Sequence, residues 1–137
     1  VVAAHFALGA AGLLAIAATS GCAKSPTPGG VRLEQISDAF SAAGLRVDQF
    51  APTDATHFNA TRCLTGRVEN IDTVVCEYPS TDALALGRKA GEQWAGNATT
   101  AAVLGNGRTL LAVADRAHSD PNGRSIHKIT QAFSKTR

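Results

Sequence analysis

Hydrophobic positions recur with two different periods along this chain, and the places where the period changes mark its elements. From residue 31 to 43, Leu33, Ile36, Phe40 and Ala43 fall at helical spacing, with Arg32, Glu34, Gln35 and Asp38 on the opposite side. That pattern predicts an amphipathic helix, and Gly44 stands where a C-terminal cap belongs. Residues 45–50 read as a short strand stopped by Pro52, and 53–62 as polar, irregular chain. A short strand around Leu64 and Val68, interrupted at Gly66, precedes a firmer one over 71–78, rich in β-branched and aromatic residues. Pro79-Ser80 ends that strand, and Ser80 is a suitable N-cap for a helix over 81–94. Its predicted inner face is Ala83, Leu86, Ala90 and Trp94. Two apolar runs, 98–104 and 108–114, flank Gly105-Asn106-Gly107 and predict a hairpin, because Asn-Gly supplies the positive φ angles of a tight turn. Asp120 is expected to cap a last helix with Pro121 at its first position, and Ile126, Ile129 and Phe133 form its stripe.

With the broken stretch around Leu64 and Val68 not counted as a strand of its own, the element order is helix, strand, strand, helix, strand, strand, helix. Helices interleaved with an antiparallel hairpin point to an α+β fold: a two-layer sandwich of about four mostly antiparallel strands with the helices on one face. The crossover through the helix at 81–94 would set its flanking strands parallel, as in split βαβ arrangements.

The N-terminal stretch follows neither period. Phe6 to Ala18 is apolar all round, built of Ala and Gly with few large side chains, and the first lysine is Lys24. A core helix would carry a polar face. The run is shorter than the roughly 20 residues of a membrane span and matches the apolar region of an export signal. A methionine and a basic segment, expected ahead of such a signal, are not among these residues.

Thr19-Ser20-Gly21-Cys22 closes the run and resembles a bacterial lipobox, with small residues before a cysteine. It departs from that pattern at Thr19, where the family usually has Leu. An ordinary signal-peptidase site at Ala15-Ile16-Ala17 or Ala18-Thr19-Ser20 is the alternative. The resemblance implies that Cys22 receives a diacylglycerol on its sulfur and becomes the first mature residue. The protein would then be a lipoprotein of the cell envelope, anchored to a membrane outside the cytoplasm. Ala23 follows the cysteine. An Asp there commonly holds Gram-negative lipoproteins at the inner membrane, so Ala23 favours the outer one where two are present. The organisation expected is a signal peptide over 1–21, a flexible Pro/Gly tether over 22–30, and a single α+β domain over 31–137.

Composition sharpens this picture at two points. The formal charge of +2 is near balance, with Lys and Arg scattered, which supports no nucleic-acid footprint. There are three cysteines, an odd number for an exported protein. If Cys22 is lipidated the remainder is one pair, and in an oxidising compartment Cys63 and Cys76 form a disulfide. If the chain is not exported, two unpaired buried thiols are expected instead.

Candidate chemistry concentrates in Asp115-Arg116-Ala117-His118-Ser119-Asp120, three acid/base or metal-binding side chains within six residues. Zinc or calcium would use such oxygen and nitrogen donors. The spacing matches no ligand template, and Asp115 ending a strand and Asp120 capping a helix account for both carboxylates. His57, His118 and His127 have no accompanying Gly-x-Ser-x-Gly or His-Glu-x-x-His motif. Gly105-Asn106-Gly107 lacks the following helix that a phosphate loop needs. No cofactor, metal set or catalytic residue is assigned. The function expected is a lipid-anchored, non-catalytic envelope module that binds an envelope protein partner or serves a structural role. The alternative is a small envelope hydrolase or metal-dependent enzyme using Asp115, His118 and Asp120.

Overall fold

A computed structural model describes residues 31–136. The signal-like stretch, Cys22 and the tether lie outside the described residues. The first element is helix α1, Leu33–Ala42. The Arg32 N–H donates to Oε1 of Gln35 at 3.1 Å, which covers one of the amide groups left open at the helix start. The far end closes as a Schellman turn. Gly44, at φ +77°, allows its own N–H to reach the Ser41 carbonyl and that of Leu45 to reach Phe40. Leu33, Ile36 and Phe40 are fully buried, as their spacing predicts.

Strand β1, Val47–Thr53, carries Pro52 inside it and does not stop there. The strand lies at the sheet edge, where a missing N–H is tolerated. Its pairing with β2, Arg62–Val68, slips between Asp48 and Ala51, with Gln49 at φ +54° in the bulge. Gly66 does not break β2. A Cβ there would lie 2.8 Å from the Asp48 carbonyl oxygen and 2.5 Å from Cδ2 of Phe50, so glycine makes room for the bulge. Between β1 and β2, the segment expected to be irregular contains a 3₁₀ turn, Thr56–Phe58, that buries Phe58. Strand β3, Ile71–Glu77, pairs with β2 through the two-residue turn Glu69-Asn70. Both turn residues have positive φ, 53° and 65°, as a type I′ hairpin demands.

Ser80 caps helix α2, Thr81–Ala95, by accepting from the Ala83 N–H at 3.1 Å. Strands β4, Ala101–Asn106, and β5, Thr109–Ala114, form the second hairpin. Its turn is Gly107-Arg108, one step later than predicted, with Gly107 at φ +57°. Asn106 belongs to β4, and its side-chain amide donates to the carbonyls of Phe133 and Thr136 at 3.1 and 2.7 Å. That bond fastens the end of helix α3, Arg124–Ser134. The N-cap of α3 is Gly123, not Asp120, and Pro121 is not its first residue: Pro121 to Gly123 form the turn into the helix, and the Asp120 carboxylate accepts the Ile126 N–H at 2.9 Å from outside it.

The five strands make one antiparallel sheet in the order β1-β2-β3-β5-β4. Five strands replace the four expected. β3 and β4 both run antiparallel to β5, so they point the same way on either side of it. This is the split arrangement that the α2 crossover predicts.

The expectation of two layers fails because the central strands are apolar on both faces. All six residues of β5 are buried, and β3 buries five of its seven. Such strands need cover on both sides. One face packs Leu64, Val68, Ile71, Val75, Leu111 and Val113 against Leu33, Ile36 and Phe40 of α1 and Ile126, Ile129 and Phe133 of α3. The other packs Cys63, Val74, Cys76, Tyr78 and Leu110 under α2 and Phe58.

The buried line of α2 is Leu84, Gly87, Gly91 and Ala95, and Leu86 is 74% exposed. Ala83, Ala90 and Trp94 of the predicted face are half-buried against the same core, and Leu86 alone is not; the centre of the contact is shifted onto the glycines, which let the helix approach the sheet. Tyr78 fills the space that a side chain at Gly87 would occupy, with its hydroxyl 2.2 Å from the position of a Cβ there. The hydroxyl donates to the Phe58 carbonyl at 2.9 Å, and burial pushes its pKa up to about 12.

Candidate functional site

Asp115 follows directly on β5 and is fully buried. Its own N–H donates to the Thr100 carbonyl at 2.9 Å, continuing the ladder to β4. The chain then leaves the sheet, and a turn is closed by the Asp115 carboxylate. Oδ1 accepts from the Ser119 N–H at 3.0 Å and the Ser119 hydroxyl at 3.1 Å, while Oδ2 accepts from the Asp120 N–H at 2.8 Å. Burial alone would raise this carboxyl's pKa. The bonds from Asp120 and Ser119 outweigh it and hold the group below the ordinary carboxylate range.

Of the three side chains of the predicted cluster, Asp115 and His118 line one cleft and Asp120 points away from it. Asp115 closes the loop, Asp120 reaches forward to the first turn of α3, and His118 turns outward. At φ +54°, His118 brings Nδ1 within 2.5 Å of the Thr99 hydroxyl. Among the described residues no group of three His, Cys, Asp or Glu side chains is placed to hold a metal ion. His57 is exposed 3.7 Å from Asp54, and His127 is exposed on α3, so the histidines do not form a site together.

Sequence reasoning missed Arg116. Its guanidinium lies 4.4 Å from the centre of the Trp94 indole, donates to the Trp94 carbonyl at the end of α2, and pairs with Asp72 at 3.1 Å. A cation at the carbonyl end of a helix is electrostatically favoured, and stacking on indole adds a cation–π contact. Arg67 reaches the same Asp72 at 3.4 Å. No local pattern marks this cluster, since its members lie on β2, β3, α2 and the loop after β5.

A cleft of about 270 Å³ lies between the end of α2 and this loop, lined by Trp94, Asn97, Thr99, Asp115, Arg116 and His118. The polar groups facing it are largely engaged with one another. A general acid needs a pKa raised toward neutrality, and Asp115 is shifted the other way. The arrangement fastens β5, β4, α2 and α3 at one end of the sheet.

The predicted disulfide is present. Cys63 and Cys76 face each other across β2 and β3 with Cα atoms 4.1 Å apart, joined by an S–S bond of 2.02 Å and buried under α2. Among the described residues no helix is long and apolar enough to cross a membrane. The chain matches no family model, no curated protein and no solved structure.

Proposed function

We propose that this protein is a lipid-anchored, non-catalytic module of the cell envelope, acting by binding an envelope partner or as a structural element. The observation that carries the reading is the apolar run Phe6 to Ala18 ending in Thr19-Ser20-Gly21-Cys22. Lipid on Cys22 supplies the attachment, since two or more acyl chains give stable anchoring where one gives marginal binding. The outer membrane is favoured where the source has two. The Cys63–Cys76 bridge supports export, because disulfides persist in oxidising compartments. The engagement of Asp115 and Asp120 with backbone amides supports a non-catalytic role over a hydrolase or metal enzyme built on Asp115, His118 and Asp120.

Intact mass of membrane-extracted protein tests the reading. The expected species begins at Cys22 and carries added acyl mass, and Cys22→Ser abolishes lipid labelling. A mature N-terminus at Ala18 or Gly21 without lipid would make the protein exported but soluble, and the proposal wrong.

A further inference from the structure

The two edges of the sheet are finished differently. β1 carries the Gln49 bulge, Asp48 and Pro52, each of which hinders another strand from pairing. Residues 98–107, including all of β4, have no charged residue, no proline and no register shift against β5. The two-residue turn makes Asn106 and Thr109 the first bonded pair of that hairpin, so Leu104 and Ala102 also bond to β5. The backbone groups of Ala101, Val103 and Gly105 therefore point outward. Among the described residues no strand pairs with that side.

Helix α2 borders the open edge with a charge pattern of its own. It runs against the direction of β4: a Cβ on Gly105 would meet Leu84 and lie 3.2 Å from Nη2 of Arg88, and one on Gly91 would meet Val103. Glu92 lies one helical turn beyond Arg88 on the same side, toward the start of β4. Both are exposed, and neither has an ion-pair partner among the described residues.

We propose that the occupant of this edge is a second copy of the chain, its β4 antiparallel to the first, giving one continuous ten-stranded sheet. A two-fold axis near the middle of β4 reverses direction. It brings Arg88 of each copy to Glu92 of the other, so the charges that lack ion-pair partners among the described residues are matched in the pair. Spacing agrees as well. α2 packs on both β4 and β5, so the two copies of α2 would lie about two strand spacings apart. At about 4.8 Å per strand that is about 9.6 Å, within the usual 8–10 Å of packed helices. β4 itself carries no charged residue, so a second β4 meets it without repulsion.

Sedimentation velocity of the full chain in density-matched detergent, over a range of concentrations, tests this. A dimer is expected. Glu92→Arg, which sets like charges across both symmetric contacts, is expected to raise its dissociation constant at least about tenfold, and Arg88→Glu added to Glu92→Arg is expected to restore it. Ala101→Pro removes an outward N–H and is expected to give monomer with unchanged near-UV circular dichroism. A monomer at all concentrations would overturn the proposal. So would a dimer indifferent to both the charge reversal and the proline. Slow amide exchange at Ala101, Val103 and Gly105 in a monomer would overturn it too, by showing that another segment of the same chain occupies the edge.

Discussion

The two faces of the sheet reach a packed interior by opposite routes. Beneath α1 and α3, large aliphatic and aromatic side chains from the helices and the sheet pack together. Beneath α2 the helix offers glycine and alanine beside a single buried leucine, Leu84, while the sheet offers Tyr78 and a disulfide, so most of the bulk comes from below. The first face follows from periodicity because each helix carries its own apolar stripe. The second does not, because a glycine carries no hydropathy and marks a contact only when its neighbour is known.

Truncation on the first face should have the largest effect. Phe133 is fully buried, and Phe133→Ala is expected to cost about 3–5 kcal/mol, read from chemical denaturation. A loss under about 1 kcal/mol, typical of an exposed site, would mean that α3 is not seated on the sheet as described. Under α2 the corresponding element is the bridge. Reducing Cys63–Cys76, which spans 13 residues in sequence, is expected to remove about 3 kcal/mol by the chain-entropy argument. An unchanged midpoint in reductant, with both thiols shown free, would contradict it.

A smaller change tests the opposite character of the faces directly. In an exposed helix Gly→Ala stabilises by about 1 kcal/mol. Gly87→Ala is expected to destabilise instead, by about 1–3 kcal/mol, the usual cost of overpacking, because its methyl would meet the Tyr78 ring. Leu86→Ser on the same helix is expected to stay within about 0.5 kcal/mol. If the Leu86 change costs more than the Gly87 change, the rotation of α2 is wrong.

The smallest effect is confined to acid. A carboxyl whose pKa is lower folded than unfolded contributes stability above the unfolded value, and that contribution is lost as pH falls through the folded one. Asp115 is such a group. The melting temperature of the native sequence should therefore fall faster below about pH 4, the ordinary aspartate range, than that of Asp115→Asn. Parallel slopes would show that the bonds from Ser119 and Asp120 do not depend on the carboxylate charge.

What sequence by itself determined about the described domain is the set of elements whose cause is local. Leu33, Ile36 and Phe40, and Ile126, Ile129 and Phe133, are buried as their spacing demands. Ser80 caps α2 and Gly44 closes α1 because one side chain, or its absence, suffices. The Cys63–Cys76 bridge is what an odd cysteine count leads one to expect only if Cys22 is otherwise engaged. Tertiary structure alone decided the rest. The second layer of helix was foreshadowed in the unbroken run Leu110-Leu111-Ala112-Val113-Ala114, but an apolar run does not say what covers it. Asn106 fastens α3 in place of making the turn, since its partners lie 27 and 30 residues away. Trp94, Asp72 and Arg116 meet only because the sheet brings the ends of β3 and β5 beside the last turn of α2. Spacing along a chain reports contacts within one element, and these contacts join elements whose separation in sequence carries no period.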